Sequence, residues 1–394
     1  MWFKKHRTYL DWASAAPVSE VAARAYARAA TFFGNPSSPH EEGRKANEIL
    51  QKARTTIARE LSVKSDDIIF TSGATEANNI AIQGVVRAHI KKGRKPENIH
   101  LLYLPSAHAS VVETMQHLGQ EGILVEPLLI RDGEVDLKVL QTSLRPETVL
   151  VSMDAVCGET GTIWNTREVK NVLQKARAVT PFGHVLLHVD ASQAPLAISP
   201  ERTRLSADLL TLDAQKIGGV RGVGLLVAPR SISIAPITFG GGQERTLRPG
   251  TESPPSAAAF AAALGDANLR RETFIAHAEH IRTKLISEIT KNISDVEVNQ
   301  GRKHVPHILN VSLPGRDTDY LIALLDEAGF AVSTKSACET DVEGSRAVFA
   351  LTNDLARAAS TLRISWGPIT KESELTAFVA ALTKAVAFID RGPA

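Results

Sequence analysis

Residues 185–219 read VLLHVDASQAPLAISPERTRLSADLLTLDAQKIGG. Two near-continuous apolar runs stand in this stretch. The first, VLLHVDA, runs into Asp190; the second, ADLLTLDA, runs out into Lys216, with a glycine pair just behind it. Runs this rich in Val and Leu suit strands buried on both faces. Working outward, IIFTS, IHLLYL, TVLVSM and VGLLVAP have the same character. Longer amphipathic segments lie between them. In EANNIAIQGVVRAHIKK, Ala77, Ile80, Ala81, Gly84, Val85 and Ala88 follow the spacing of one helix face. Continuous apolar strands separated by helices predict an α/β fold whose mostly parallel sheet is covered on both sides.

That pattern holds from about residue 68 to about residue 260. Then PPSAAAFAAALGDANLRRETFIAHAEHIRTKLISEIT predicts a long helix opened by a proline pair. Beyond it HILNVSL, AVSTKSA and LRISW read as strands of a smaller α+β unit, closed by the helix ESELTAFVAALTKAVAFI. We expect a large domain over residues 15–260 and a small one built from residues 1–14 and 261–394. A chain of 394 residues is long enough to need both.

Composition excludes more than it identifies. A net charge of +2 makes no electrostatic case for a nucleic-acid or membrane partner. The opening MWFKKHRTYLDW lacks the apolar core of a secretory signal, and no apolar run approaches a membrane span. The two cysteines, Cys157 and Cys338, lie far apart and make no disulfide framework, so a reducing cytoplasm is the expected compartment. Cys338 sits in the polar stretch TKSACETD, where packing gives a cysteine no purpose.

Taken alone, Asp190 reads as a turn-capping carboxylate and Lys216 as a solvated charge at a strand end. Together they meet the needs of pyridoxal phosphate: a lysine to hold it covalently and an acid to keep its ring nitrogen protonated. Both would come from strand carboxyl ends facing a common crevice. FTSGATEANN supplies a strand, a small loop and a helix start, where backbone N–H groups meet an anion. His108, after the strand IHLLYL, could stack on the ring and shuttle protons. Pairs of histidines compete poorly as metal ligands: His277 with His280 and His304 with His307 lack a third partner and read as solvated faces, so no metal is expected.

With these residues in order, the chain resembles cysteine desulfurases of the fold-type I, class V aminotransferase superfamily. YLDWASAAPVS, FGNPSSPHEEGRKA, FTSGATEANNIAIQG, HVDASQAP, QKIGGVRGVGLL, GGGQERTLRPGT, KSAC and LRISWG follow the family order over nearly the whole length. The resemblance implies a seven-stranded, mostly parallel sheet in the large domain. It implies pyridoxal 5'-phosphate on Lys216, Asp190 at its ring nitrogen, Gln193 at its ring oxygen and His108 on its face. Ala74, Thr75 and Gln215 match phosphate positions, and Thr251 matches a threonine reaching the phosphate from the other subunit of a homodimer. Asn35 and Arg363 match residues that hold the substrate carboxylate, a role suited to the planar guanidinium fork. Cys338 matches the cysteine that takes sulfur from L-cysteine as a persulfide, leaving L-alanine, and Lys335 or His108 could help deprotonate it. A protein sulfur acceptor is implied, an iron–sulfur scaffold or a thiolation enzyme, without indicating which.

Three positions depart from the family pattern. Cys157-Gly158 stands where Asn-Asn is common, so Cys157 takes a place at the substrate from which an amide is missing. Gln215 replaces a frequent histidine. Asp213 replaces a small residue near the phosphate; about 4 kcal/mol of repulsion would oppose a carboxylate about 4 Å from that anion at an effective dielectric near 20. Asp213 is therefore expected to point away or pair with a cation. Another class V enzyme, a selenocysteine lyase or an aminotransferase, and a non-catalytic binding relative remain open.

Overall fold

The computed structural model describes residues 7–175, 184–334 and 344–392. Its centre is a seven-stranded sheet. In spatial order the strands are Ile68–Thr71, Gly224–Val227, Leu209–Asp213, Leu186–Asp190, Thr148–Asp154, His100–Tyr103 and Leu124–Pro127. Gly224–Val227 runs antiparallel to both neighbours, and every other pairing is parallel. Thr148–Asp154 and Leu209–Asp213 are buried at every residue, as their apolar runs require.

Six of the seven strands coincide with the apolar runs of the sequence. The seventh, Leu124–Pro127, gives no such run because it pairs on one side only and is partly exposed. Glu126 and Pro127 are acceptable there, since an edge strand needs no second hydrogen-bonded neighbour.

The helix Ala74–Lys91 leaves the end of Ile68–Thr71 and packs Ala77, Ile80, Ala81, Gly84, Val85 and Ala88 inward. The proline pair does open a long helix, Pro254–Asn292, capped where Ser253 accepts from the Ser256 N–H. After it come an antiparallel sheet of Glu297–Val298, Ile308–Ser312 and Thr361–Ser365, and the closing helix Glu372–Asp390. The N-terminus is stitched to this part: Thr8–Tyr9 pairs with Phe330–Ala331, and Asp11 bridges Ser365.

Two expectations need correction here. AVSTKSA is not a full strand among the described residues; pairing stops at Ala331, apart from a bridge from Ser333 to Arg363. His307 is not solvated but buried against the Phe274 ring, with centroids 5.3 Å apart. Burial pushes its imidazole down to about 3, so it is a neutral core residue.

Candidate active site

The carboxyl ends of the parallel strands open into a cavity of about 200 Å³. Ala74, Thr75, His108, Cys157, Asp190, Gln193, Gln215, Lys216 and Arg363 all line it. The structure thus brings nine predicted residues to one place. A roomier groove, about 620 Å³, lies between the helices Glu20–Ala30, Glu41–Leu61 and Pro254–Asn292 and shares none of them.

Lys216 sits on a short turn, Ala214–Ile217, that follows Leu209–Asp213 directly. Gly218 ends the turn at φ 81°, a conformation that costs a residue without Cβ little. The Lys216 Nζ donates to the carbonyls of Ala13 at 2.9 Å and Ser14 at 2.8 Å. Gln193 Nε2 donates to the same Ala13 carbonyl at 2.8 Å. The N-terminal segment therefore forms one wall of the site and orients both side chains.

Asp190 is buried and held by three donors. Its Oδ1 accepts from the Ser192 N–H at 2.9 Å and the Ser192 hydroxyl at 2.6 Å, and its Oδ2 from Asn78 Nδ2 at 2.8 Å. The second hydrogen of Asn78 Nδ2 goes to Ser110 Oγ at 2.9 Å. Ser110 Oγ in turn lies 2.8 Å from His108 Nδ1, which also accepts from the Ser110 N–H at 3.1 Å. A relay of Asn78 and Ser110 thus connects the aspartate to the histidine. Burial lowers the basicity of His108. With Nδ1 accepting, the neutral ring carries its proton on Nε2.

The sequence reading missed Asn78, Ser110 and Asp154. Asn78 was visible as an amide inside the apolar helix face beginning at Ala77, and it is wholly buried. Asp154 ends an apolar run just as Asp190 does.

Arg363 is almost wholly buried and comes from the strand Thr361–Ser365. It donates to the Gly158 carbonyl at 3.0 Å, to Asp11 Oδ1 at 2.8 Å and to the Ser14 hydroxyl. Cys157 is 1% exposed, with its Sγ 3.8 Å from the Ser106 carbonyl. Burial, then the nearby Asp154 and Glu159, push its thiol up to about 12. Such a group stays a thiol at neutral pH and packs as a small apolar side chain.

The expectation for Asp213 was wrong. Its carboxylate neither points away nor forms an ion pair among the described residues. Its Oδ2 accepts from the Ala74 N–H at 3.0 Å, and its Oδ1 from the Gln215 N–H at 3.1 Å. Close approach of the loop makes this possible: a Cβ on Gly224 would lie 2.6 Å from the Gly73 carbonyl carbon.

Asn35 and Thr251 are exposed and lie outside the cavity lining. Cys338 and Lys335 fall outside the described residues. Both flanks of that stretch, however, contact residues that line the cavity. Ser333 bridges Arg363, and the Ser345 hydroxyl donates to Glu159. Arg346 reaches the Ala107 carbonyl at 3.3 Å. Among the described residues no cluster of three or more histidines, cysteines or acids could hold a metal. Nor is any described helix long and apolar enough to cross a membrane.

The model of the aminotransferase class-V family matches residues 8–378 of the chain. The chain is a member of that family. More particularly, it is 32% identical to cysteine desulfurase IscS 1 of Archaeoglobus fulgidus, over 84% of either chain. It is 34% identical to the mitosomal cysteine desulfurase of Encephalitozoon cuniculi, over 94% of this chain and 84% of that one. A solved NifS-like protein superposes with a TM-score of 0.87 at 30% identity, covering 97% of this chain and all of the other.

Proposed function

We propose that this protein is a pyridoxal-phosphate-dependent cysteine desulfurase, converting L-cysteine to L-alanine and carrying the sulfur onward. The reading rests on the convergence of Lys216, Asp190, His108 and Arg363 on one cleft, with both flanks of residues 335–343 in contact with residues that line it. The side chains suit the cofactor at its ring end. Lys216 offers an amine to the aldehyde, Asp190 a fixed acceptor to the ring nitrogen, Gln193 an amide to the ring oxygen, and His108 a face to stack on. At the phosphate end Ala74, Thr75 and Gln215 offer donors, joined by Thr251 of the partner subunit in a homodimer. When bound, the cofactor supplies an electron sink that loosens bonds at the substrate Cα.

The chain's own residues do the rest. Arg363, with Asn35, binds the substrate carboxylate, and Cys157 packs beside it as an apolar wall. Lys216 moves the proton at Cα, and His108 holds a second transferable proton at Nε2. The Cys338 thiolate attacks the substrate sulfur. A sulfur–sulfur bond forms as the carbon–sulfur bond breaks. The electron pair stays with the carbon skeleton, which takes up a proton and leaves as alanine. A persulfide remains on Cys338 for a protein acceptor, an iron–sulfur scaffold or a thiolation enzyme, in the cytoplasm, where thiols stay reduced.

The test is direct. Protein loaded with pyridoxal phosphate and given L-cysteine with a thiol reductant should release sulfide and alanine in equal amounts. Loaded protein that yields neither is not a desulfurase.

A further inference from the structure

The Asp213 side chain does not merely stand near the phosphate end of the site; it takes up the donors there. Its Oδ2 accepts from the Ala74 N–H, the first amide of the helix Ala74–Lys91, and from Gln215 Nε2 at 3.4 Å. Its Oδ1 accepts from the Gln215 N–H. Ala74 and Gln215 are two of the three positions in this subunit that would hold the phosphate. Asp213 is 6% exposed, and its carboxylate lies against Gly73, where an added Cβ would come within 3.3 Å of Oδ2.

We infer that Asp213 sets how strongly this site prefers the phosphorylated cofactor, because an incoming phosphate binds the Ala74 and Gln215 donors only by displacing the Asp213 carboxylate. The inference rests on the reading of the cleft as a pyridoxal phosphate site. Its physical basis is simple. A backbone N–H makes one strong hydrogen bond, and two anions sharing that donor repel each other at close range. Asp213 lowers the phosphate arm's contribution to binding and leaves the ring's contribution intact, since Asp190 and Gln193 at the ring end are held by Ser192, Asn78 and the Ala13 carbonyl instead. The expected consequence is a site that exchanges its cofactor readily and tells pyridoxal phosphate from pyridoxal less sharply than one with a small residue at this position.

The experiment compares the parent with Asp213→Asn and Asp213→Ser. Dissociation constants for pyridoxal phosphate and for pyridoxal are taken from visible absorbance titrations of cofactor-free protein. Asparagine keeps an acceptor for the Gln215 N–H, and serine leaves the cradle open. Both variants should bind pyridoxal phosphate about ten- to a hundredfold more tightly, the worth of one charge-assisted hydrogen bond. Pyridoxal binding should stay as in the parent. An equal shift for both ligands, or weaker pyridoxal phosphate binding in the variants, overturns the role of Asp213. If neither ligand produces a band with any of the three proteins, the cofactor assignment itself fails and this inference with it.

Discussion

Asp154 and Asp190 stand opposite each other in register on adjacent parallel strands, two buried carboxyls at the mouth of one cleft. Register partners project to the same face of a sheet, so the two acids are neighbours. Asp190 takes three hydrogen bonds, whereas Asp154 Oδ1 has no partner among the described residues. Burial, then the charge of Asp190 and more weakly that of Glu159, raise Asp154 well above the usual carboxylate range. The folded chain therefore keeps a proton that the unfolded chain releases above about pH 4.

From that point the stability of the fold should fall with rising pH until Asp154 ionises in the folded state. Asp154→Asn carries no such proton. It should gain on the parent by up to about 1.4 kcal/mol per pH unit across the window. Urea denaturation of cofactor-free protein at a series of pH values measures this. A difference that stays flat with pH would mean that Asp154 is already ionised in the fold.

Lys216→Ala should abolish turnover and covalent attachment of the cofactor. The side chain is oriented by the Ala13 and Ser14 carbonyls toward the cleft that holds Asp190. Borohydride treatment of the loaded parent followed by peptide mapping should find the label on Lys216. A label on another lysine would refute the assignment.

The two cysteines should behave in opposite ways. Cys338→Ser should still take up cofactor and respond spectrally to cysteine but release no sulfide, because a hydroxyl holds no persulfide. Cys157→Ser should retain sulfur transfer. With its thiol pushed up to about 12, Cys157 should also resist iodoacetamide in the native protein while Cys338 reacts. A persulfide mapped to Cys157 would reverse the assignment.

Arg363→Ala should raise KM for cysteine about ten- to a hundredfold, the worth of a charge-assisted contact. Asp11 and the Gly158 carbonyl already hold the guanidinium, so the arginine pays little entropy to bind a carboxylate. Steady-state kinetics decide it: a fall in kcat at unchanged KM would assign Arg363 to the chemical step instead.

Much of the site was legible because apolar runs reveal where strands end. The first polar residue after VLLHV is Asp190, and the lysine after ADLLTLDAQ is Lys216; in a parallel sheet both ends face one crevice. Asp154 carried the same signal at the end of TVLVSM and went unread. Asn78 was legible only as an amide on an apolar helix face, and nothing in its spacing indicates a bond to a residue 112 positions away.

By itself the sequence determined which segments are buried strands, which are amphipathic helices, and which acid and lysine stand at strand ends, because burial and periodicity are local properties of the chain. Only the tertiary structure decided how those ends are used. Strand register set Asp154 beside Asp190, and helix packing joined Asp190 through Asn78 and Ser110 to His108. Asp213 shows the division most sharply. Its charge predicted repulsion from an anion site, yet the close approach of Gly73 and Gly224 brings the Ala74 N–H within reach of its carboxylate. Hydrogen bonds depend on distances of a few tenths of an ångström, which strand register and packing set and residue order does not.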